Sequence, residues 1–492
     1  MNKPSLSKTR YLEGLKCPKL LWYEYNRKED FPEIDAATQA KFDQGNAVGE
    51  LAHTLFPGGI TLQRDYKPDK QAEKSLKAAK LRKPLFEAGF VHKQAYALAD
   101  ILNPVEKNAW DLIEVKSSTS VKDEHYRDGA FQKYTYEGAG LTIRKCYLMH
   151  INNQYVRKGK TEPEKLLVTE DITEQCDELI PEIEHKLAGM LEAIREKNEP
   201  QVTIGPHCGS PYSCPLEGIC WAFLPPEDNI FFLYRGGKKA YELMESGILS
   251  MADIKEDFTL NDKQNIQVLC HKKGIPHIDK KGIEDFLNTL EYPLYFLDFE
   301  TISPAIPAYD NSRPYGAIPF QYSLYIVKNK DARPERHAYL APGDKDPRAE
   351  ILKQLKILLE DSGSIVAYNA SFEKTRLREA SEAYPEYQDW VVAIQERFVD
   401  LLTPFRGFLY YHPDQAGSAS LKKVLPVMTN SNYDAMEITD GSMASIEYYR
   451  VTFGKNIDEK DRQRVYSALE KYCDLDTKGM IDILDELRKV CD

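Results

Sequence analysis

Apolar and polar positions alternate with a period of two in QAYALADIL (94–102) and WDLIEVKSS (110–118). That alternation predicts two strands, joined by a polar turn containing Asn103 and Pro104. GAFQKYTYEGAG (129–140) reads as a helix, and GGKKAYELMESGILSMADIKE (236–256) as two short helices about a Gly-containing turn. Further along, YFLDFE (295–300), QYSLYIV (321–327) and ERHAYLA (335–341) are strand candidates separated by Pro and Gly. A 3.6-residue period in PRAEILKQLKILLED predicts a helix before the strand SIVAYNA, and a long helix fills the last thirty residues. The fold class is α/β, in three parts: a mixed unit over 1–222, a helical connector over 223–290 and a second α/β domain over 291–492.

Composition narrows the function classes. The chain has 492 residues, 42% hydrophobic and 29% charged, which excludes disorder and supports several buried cores. No apolar run reaches the roughly 20 residues of a membrane helix, and MNKPSLSKTRYLEGLKCPKL lacks the apolar centre of a secretory signal, so a cytoplasmic protein with no membrane partner is expected. The net charge of −12 argues at first against a phosphate-backbone partner. The acid excess is uneven: residues 1–220 carry 31 Lys and Arg against 33 Asp and Glu, and the remainder 34 against 44. Nine cysteines, an odd number in a cytoplasmic chain, do not suit a disulfide framework.

On the second strand of the first hairpin, Glu114 and Lys116 share a face, and on the first strand Asp100 is in phase with Leu98 and Tyr96. A hairpin can bring the three together. Two carboxylates can hold a divalent cation, and an ammonium beside them can orient water or offset charge growing on a phosphate. The plain alternative is a solvated strand face with a salt bridge. The set resembles the PD-(D/E)XK nucleases, with Asp100 as the Asp and Glu-Val-Lys as the (D/E)XK. Gln132 and Tyr136, four apart, resemble the Q-x-x-x-Y of RecB-like members, and His53 in GNAVGELAH stands where those members carry a metal-binding histidine.

Cys208, Cys214 and Cys220 are each separated by five residues in a loop rich in Pro and Gly, a grouping that suits a soft metal or an iron-sulfur cluster. Cys17 in LKCPKLLWY is the candidate fourth ligand. One distant cysteine before the nuclease motif and three after it resemble the iron-sulfur RecB-like exonucleases, including the CRISPR-associated family, over residues 10–222. The resemblance implies a 4Fe-4S cluster on Cys17, Cys208, Cys214 and Cys220. A zinc site on the four cysteines, or with His207 in place of one, is the alternative. Cys146, Cys176, Cys270, Cys473 and Cys491 read as small apolar residues.

Asp298 and Glu300 share a strand face in YFLDFE. Asn369 and Glu373 mark a helix start in AYNASFEKTRL, and Tyr472 and Asp476 sit four apart on a helix in KYCDLDTKGM. Four carboxylates from one strand and two helices can hold two divalent ions about 4 Å apart, as in-line phosphoryl displacement requires, with Tyr472 orienting water. D-x-E, N-A-x-F-(D/E) and Y-x-x-x-D in this order resemble the DEDD exonucleases of RNase H-like fold. Glu373 stands where those enzymes usually have Asp. VDLLTPFRG, with Asp400 and Arg406, and SLKKVLP, with Ser420 and Lys422, also resemble segments of RNase H-like domains fused to RecB-like nucleases. The whole chain resembles bacterial proteins that join these two nuclease domains.

Lys67, Lys70, Lys74, Lys77, Lys80 and Lys83 recur every three or four residues and on a helix form one basic stripe, either a phosphate grip or a solubilising face. The expected function is a nuclease using Mg²⁺ or Mn²⁺ at two sites. It acts on DNA, with RNA also possible, at ends or single strands, in repair or in phage defence and CRISPR-related processing. The alternative is a nucleic-acid-binding assembly module with one degenerate site.

Overall fold

Fourteen strands form among residues 5–492, the part of the chain that the computed structural model describes. Seven lie in a first unit that runs to Trp221 and takes in Pro304–Tyr315. They are β1 (Leu6–Ser7), β2 (Ile60–Thr61), β3 (Leu85–His92), β4 (Ala95–Pro104), β5 (Ala109–Lys116), β6 (Thr142–Ile151) and β7 (Leu167–Asp171). The sheet runs β2-β3-β4-β5-β6-β7, with β1 parallel to β4 off this path. The hairpin expected at 94–118 is β4 and β5, antiparallel with Ile101 opposite Ile113 and Leu102 opposite Leu112. Asn103 and Pro104 belong to β4 rather than to the turn, since they stay in register opposite Asp111 and Trp110; proline is tolerated at that strand end.

This sheet is covered on both faces. On one, Trp110, Leu112 and Leu148 pack with Phe131 and Tyr136 of the helix Asp123–Gly138. On the other, Ile101, Ile113 and Met149 pack with Val48 and Ala52 of the helix Ala36–His53. Full burial of a side chain such as Phe131 contributes about 1.5–3 kcal/mol. Glu114 shares the parity of Leu112 and therefore meets the helix Asp123–Gly138. The segment Pro304–Tyr315 joins this unit through hydrogen bonds: Ala305 N–H donates to Gln44 Oε1 at 3.0 Å, Arg157 to the Pro307 carbonyl at 2.9 Å, and Gly159 N–H to Asp310 at 2.8 Å.

The second unit, Ala222–Ser303 with Gly316–Asp492, holds β8 (His277–Ile278), β9 (Leu294–Ile302), β10 (Ile318–Val327), β11 (Glu335–Leu340), β12 (Ile365–Ala367), β13 (Phe398–Asp400) and β14 (Tyr410–Tyr411). Its main sheet is ordered β11-β10-β9-β12-β13. The first three strands are antiparallel neighbours, while β12 runs parallel to β9 and β13 parallel to β12. Tyr295, Leu297 and Phe299 bury one face of β9 against the helices Arg348–Leu358 and Ser371–Ala383. The alternate residues, Asp298 and Glu300, are left on the face of the long helix Glu459–Cys491.

The stretch 223–290 is not a separate connector but part of this second unit. β8 pairs with β14, and the fully buried Gln267 accepts from Tyr234 N–H at 2.6 Å while donating to the Phe232 carbonyl at 2.7 Å. A buried amide satisfied at both ends fixes its surroundings. Of the two short helices expected in 236–256 only Lys238–Glu245 forms; the second is the 3₁₀ turn Met251–Asp253, held short because Met251 and Ile254 both enter the local core. No helix among the described residues is long and apolar enough to cross a membrane.

Candidate metal centres

In the first unit, Glu114 and Asp128 are bridged by two ammonium groups. Lys116 Nζ lies 2.6 Å from Glu114 Oε1 and 2.8 Å from Asp128 Oδ2, and Lys8 Nζ lies 2.5 Å from Glu114 Oε1 and 3.8 Å from Asp128 Oδ1. Gln132 donates from Nε2 to both carboxylates, at 2.6 Å to Glu114 Oε2 and 2.9 Å to Asp128 Oδ1. Asp100 accepts from Val115 N–H at 2.7 Å, and its charge acts on Glu114, Lys8 and Lys116. Burial pushes the Glu114 carboxyl up to about 7, helped by Asp100 and Asp128 and opposed by Lys116 and Lys8. Asp128 is also buried, which acts to raise it, yet Lys116 and Lys8 hold it below the ordinary carboxylate value.

The helix Asp123–Gly138 presents Asp128, Gln132 and Tyr136 at intervals of four, one above the other on its sheet-facing side. Tyr136 does not share the role of Gln132. Its hydroxyl donates to the Ala88 carbonyl, so it positions the helix on β3 rather than offering a proton to the carboxylates. His53 closes the helix Ala36–His53, stacks on Phe86 with ring centroids 3.9 Å apart, and is hydrogen-bonded to the Asp100 backbone. Burial lowers its pKa, favouring the neutral imidazole that ligates cations. Structure adds three groups to this centre that sequence reasoning missed. Asp128 had a legible signal, four residues before Gln132; Lys8 had none. The third, Glu87 on β3, has a carboxyl raised by burial against the opposing charges of Lys8 and Arg64, and its backbone takes a positive φ of 58°.

The lysine stripe lies on the helix Pro68–Ala79, whose other face buries Gln71, Ser75 and Ala78. Gln71 donates to the Glu87 carbonyl at 2.9 Å and Ser75 Oγ accepts from Gly89 N–H at 2.9 Å, seating this helix on β3. Lys70, Lys74 and Lys77 are exposed within the helix, with Lys74 3.1 Å from Asp65. Lys67 and Lys80 are its capping residues and Lys83 lies beyond it, so the stripe is shorter than the spacing predicts.

Cys17, Cys208, Cys214 and Cys220 line one pocket together with Val202, Ile204 and Leu216. Cys17 stands between the helices Lys8–Lys16 and Pro18–Asn26; Trp22 of the latter donates to the Glu196 carbonyl at 2.9 Å, just past the helix Thr173–Ala193, and Lys16 donates to the Tyr212 carbonyl in the loop that carries the other three. Burial raises the Cys214 and Cys220 thiols, and Cys17 and Cys208 raise both further, as neighbouring thiolates would. A tetrahedral zinc with bonds of about 2.3 Å draws its sulfurs to about 3.8 Å of one another. Among the described residues, the group with three ligand atoms mutually within 4.8 Å is Asp298, Glu300 and Cys473, not the cysteine set. The convergence of the four cysteines on one pocket is what either a cluster or a zinc ion would need.

In the second unit, β9 supplies Asp298 and Glu300, the helix Ser371–Ala383 supplies Glu373 in its first turn, and Glu459–Cys491 supplies Tyr472, Cys473 and Asp476. Glu300, Glu373 and Asp476 are buried. Burial raises all four carboxyls: Glu300 is raised further by Asp298 and Asp476, Asp298 by Asp476, and Glu373 by Asp298, while Asp476 reaches about 6. Lys422 is the cation that offsets both Glu300 and Asp476. Tyr433 and Tyr472 are both hydrogen-bonded to Asp476. Asp400 accepts from Asn369 N–H at 2.8 Å and Leu402 N–H at 3.0 Å, which fixes the turn into the Glu373 helix, where Asn369 has a φ of 71°. Tyr433 and Cys473 were missed by sequence reasoning. Cys473 is not simply a small apolar residue, because its Sγ lies 3.5 Å from Asp298 Oδ2.

Comparisons with known proteins bear on part of this chain. Residues 295–420 match a domain of unknown function, DUF2779, a stretch that contains Asp298, Glu300 and Glu373. The uncharacterized MG366 homolog of Mycoplasma pneumoniae is 29% identical over 231 residues, covering 42% of this chain and 34% of that protein. The uncharacterized protein UU173 of Ureaplasma parvum is 27% identical over 301 residues, covering 54% of this chain and 43% of that protein. The chain thus spans about a third to two-fifths of the length of these curated relatives and is similar to them over that part.

Proposed function

We propose that this chain is a metal-dependent nuclease with two hydrolytic centres acting on DNA. One observation carries the reading: Asp298, Glu300, Glu373 and Asp476 converge in a largely buried centre where Lys422 is the cation offsetting Glu300 and Asp476. With its carboxylates ionised, such a cluster is strongly unfavourable unless cations enter it. Two divalent ions would neutralise it and clamp the attacking and leaving oxygens of a phosphodiester. The strand order β11-β10-β9-β12-β13, three antiparallel strands followed by two parallel ones, supports an RNase H-like reading of this unit. Asp100, Glu114 and Lys116 with Gln132 support a PD-(D/E)XK reading of the first unit, where His53, Asp100 and Glu114 would hold a cation. The four thiols that line one pocket support a 4Fe-4S cluster.

A second reading rests on the ion pairs of Lys8 and Lys116. They compensate the first centre from within, so that this unit can bind nucleic acid without turning it over while the second performs cleavage. End-labelled single- and double-stranded DNA incubated with Mg²⁺ or Mn²⁺ tests both. Cleavage abolished by Asp298→Ala supports the two-metal centre, loss in Lys116→Ala adds the first, and cleavage insensitive to both variants ends the proposal.

A further inference from the structure

We infer that the second centre binds its cation partly through sulfur, with Cys473 as a ligand beside Asp298 and Glu300, and therefore takes a thiophilic or borderline divalent ion in preference to Mg²⁺. The inference rests on reading this centre as a metal site and names the ion it selects. Ligand atoms of Asp298, Glu300 and Cys473 lie within 4.8 Å of one another, close enough to share one ion. Cys473 is fully buried and its Sγ points at Asp298, 3.5 Å from Oδ2. It sits three residues before Asp476, so one turn of the helix Glu459–Cys491 delivers both to the same face.

A separate observation points to a ligand. Glu373 is 2% exposed, it feels the charge of Asp298 and acts in turn on Glu300, and its Oε2 has no hydrogen-bond partner. A buried carboxylate oxygen without a donor is costly unless something positive meets it. On the neighbouring strand β10, Ser323 and Gln321 stand opposite Asp298 and Glu300 in register, and Ser323 Oγ and Gln321 Oε1 also lack partners. The polar lining is thus incomplete around the acids and the thiol.

Magnesium demands oxygen ligands in near-octahedral geometry, whereas thiolate favours softer ions such as Zn²⁺, Cd²⁺ or, more weakly, Mn²⁺. Binding forms a metal–sulfur bond as the Cys473 S–H proton leaves to solvent, and nothing is oxidised or reduced.

The test titrates full-length protein with Cd²⁺ and with Mg²⁺ by calorimetry, comparing the natural sequence with Cys473→Ser and Cys473→Asp; the thiols of the first unit are common to all three. The expected result is a loss of about tenfold or more in Cd²⁺ affinity at one site in Cys473→Ser, with Mg²⁺ affinity changed less than about threefold. Cys473→Asp should raise Mg²⁺ affinity instead. Unchanged Cd²⁺ affinity in Cys473→Ser overturns the inference. Should a variant fail to fold, a Cd²⁺-soaked crystal of the natural sequence decides: Cys473 Sγ in the coordination shell supports the inference, and an all-oxygen shell ends it. Thiol-dependent Cd²⁺ binding without DNA cleavage would end the nuclease reading alone, and Asp298-dependent cleavage with unchanged Cd²⁺ affinity would end this inference alone.

Discussion

Lys8 Nζ and Glu114 Oε1 lie 2.5 Å apart although 106 residues separate them in the chain. The contact exists because β1 pairs parallel with β4, with Leu6 opposite Ala95, and the helix that starts at Lys8 follows at once. Lys8 shares Glu114 with Lys116, so two ammoniums converge on one carboxylate oxygen of the first centre.

Replacing Lys8 with Met should cost about 1–3 kcal/mol of stability. The value falls below that of a fully buried pair because the Lys8 side chain is 21% exposed. Urea unfolding of the metal-free protein measures it, and saturating Mn²⁺ should restore part of the loss by standing in for the ammonium. A variant as stable as the natural protein would show that Lys116 alone suffices.

Glu114 makes stability depend on pH in a stated direction. An unfolded Glu gives up its proton near 4.5, whereas the folded carboxyl keeps it to about 7. Between those values the native state binds the extra proton, so stability falls as pH rises, by about 3 kcal/mol in all. Unfolding free energies of metal-free protein at pH 5 and pH 8 should differ accordingly. Glu114→Gln should remove Glu114's share of that difference, about 3 kcal/mol, while the share of the second centre, where burial also raises the carboxyls, remains in the variant.

On the proposed cluster, Cys17→Ser should release iron and lower the melting temperature by several degrees, because Cys17 would close a loop reaching to Cys208 and loss of such a cross-link typically costs about 2–5 kcal/mol. Iron and acid-labile sulfide analysis of anaerobically purified protein measures the first effect. Four iron atoms per chain support the cluster, and one zinc per chain would replace it.

Tyr472→Phe keeps the ring and removes the hydroxyl that meets Asp476. The expected outcome is a fall of about 10²-fold in cleavage rate with Mn²⁺ affinity changed less than about threefold, read from single-turnover cleavage and metal titration. A large loss of Mn²⁺ affinity would make Tyr472 a support of the ligand set rather than a partner of the attacking water.

Lys70, Lys74 and Lys77 replaced together by Gln should reduce the slope of log affinity against log salt by about 2–3 for duplex DNA, roughly one released counterion per lysine. Filter binding at several salt concentrations gives the slope. An unchanged slope would mark this helix face as solubilising.

Much of both carboxylate centres was legible because local periodicity sets side-chain direction. Glu114 with Lys116, and Asp298 with Glu300, had to share strand faces once their segments were strands, and the four-residue spacings put Gln132 with Tyr136 and Tyr472 with Asp476 on single helix faces, while the choice of Gln132 itself came from the resemblance. The apolar alternation that placed them also located β4, β5, β9, β10 and β11 to within a few residues. The separate connector and the full lysine stripe were misread for a common reason. A helix or stripe read locally does not report its partner, and only the buried Gln267 and the β8–β14 pairing assign 223–290 to the second unit.

From the sequence alone came the elements, the faces of the acidic residues and the grouping of Cys17 with Cys208, Cys214 and Cys220 as candidate ligands. Tertiary structure decided which charges meet. Lys8 reaches Glu114 through a strand pairing between distant segments, Cys473 reaches Asp298 because a helix from the far end of the chain packs on β9, and Tyr136 turns away to the Ala88 carbonyl. Periodicity is a property of neighbours in the chain, whereas the charge balance of a buried centre is a property of neighbours in space.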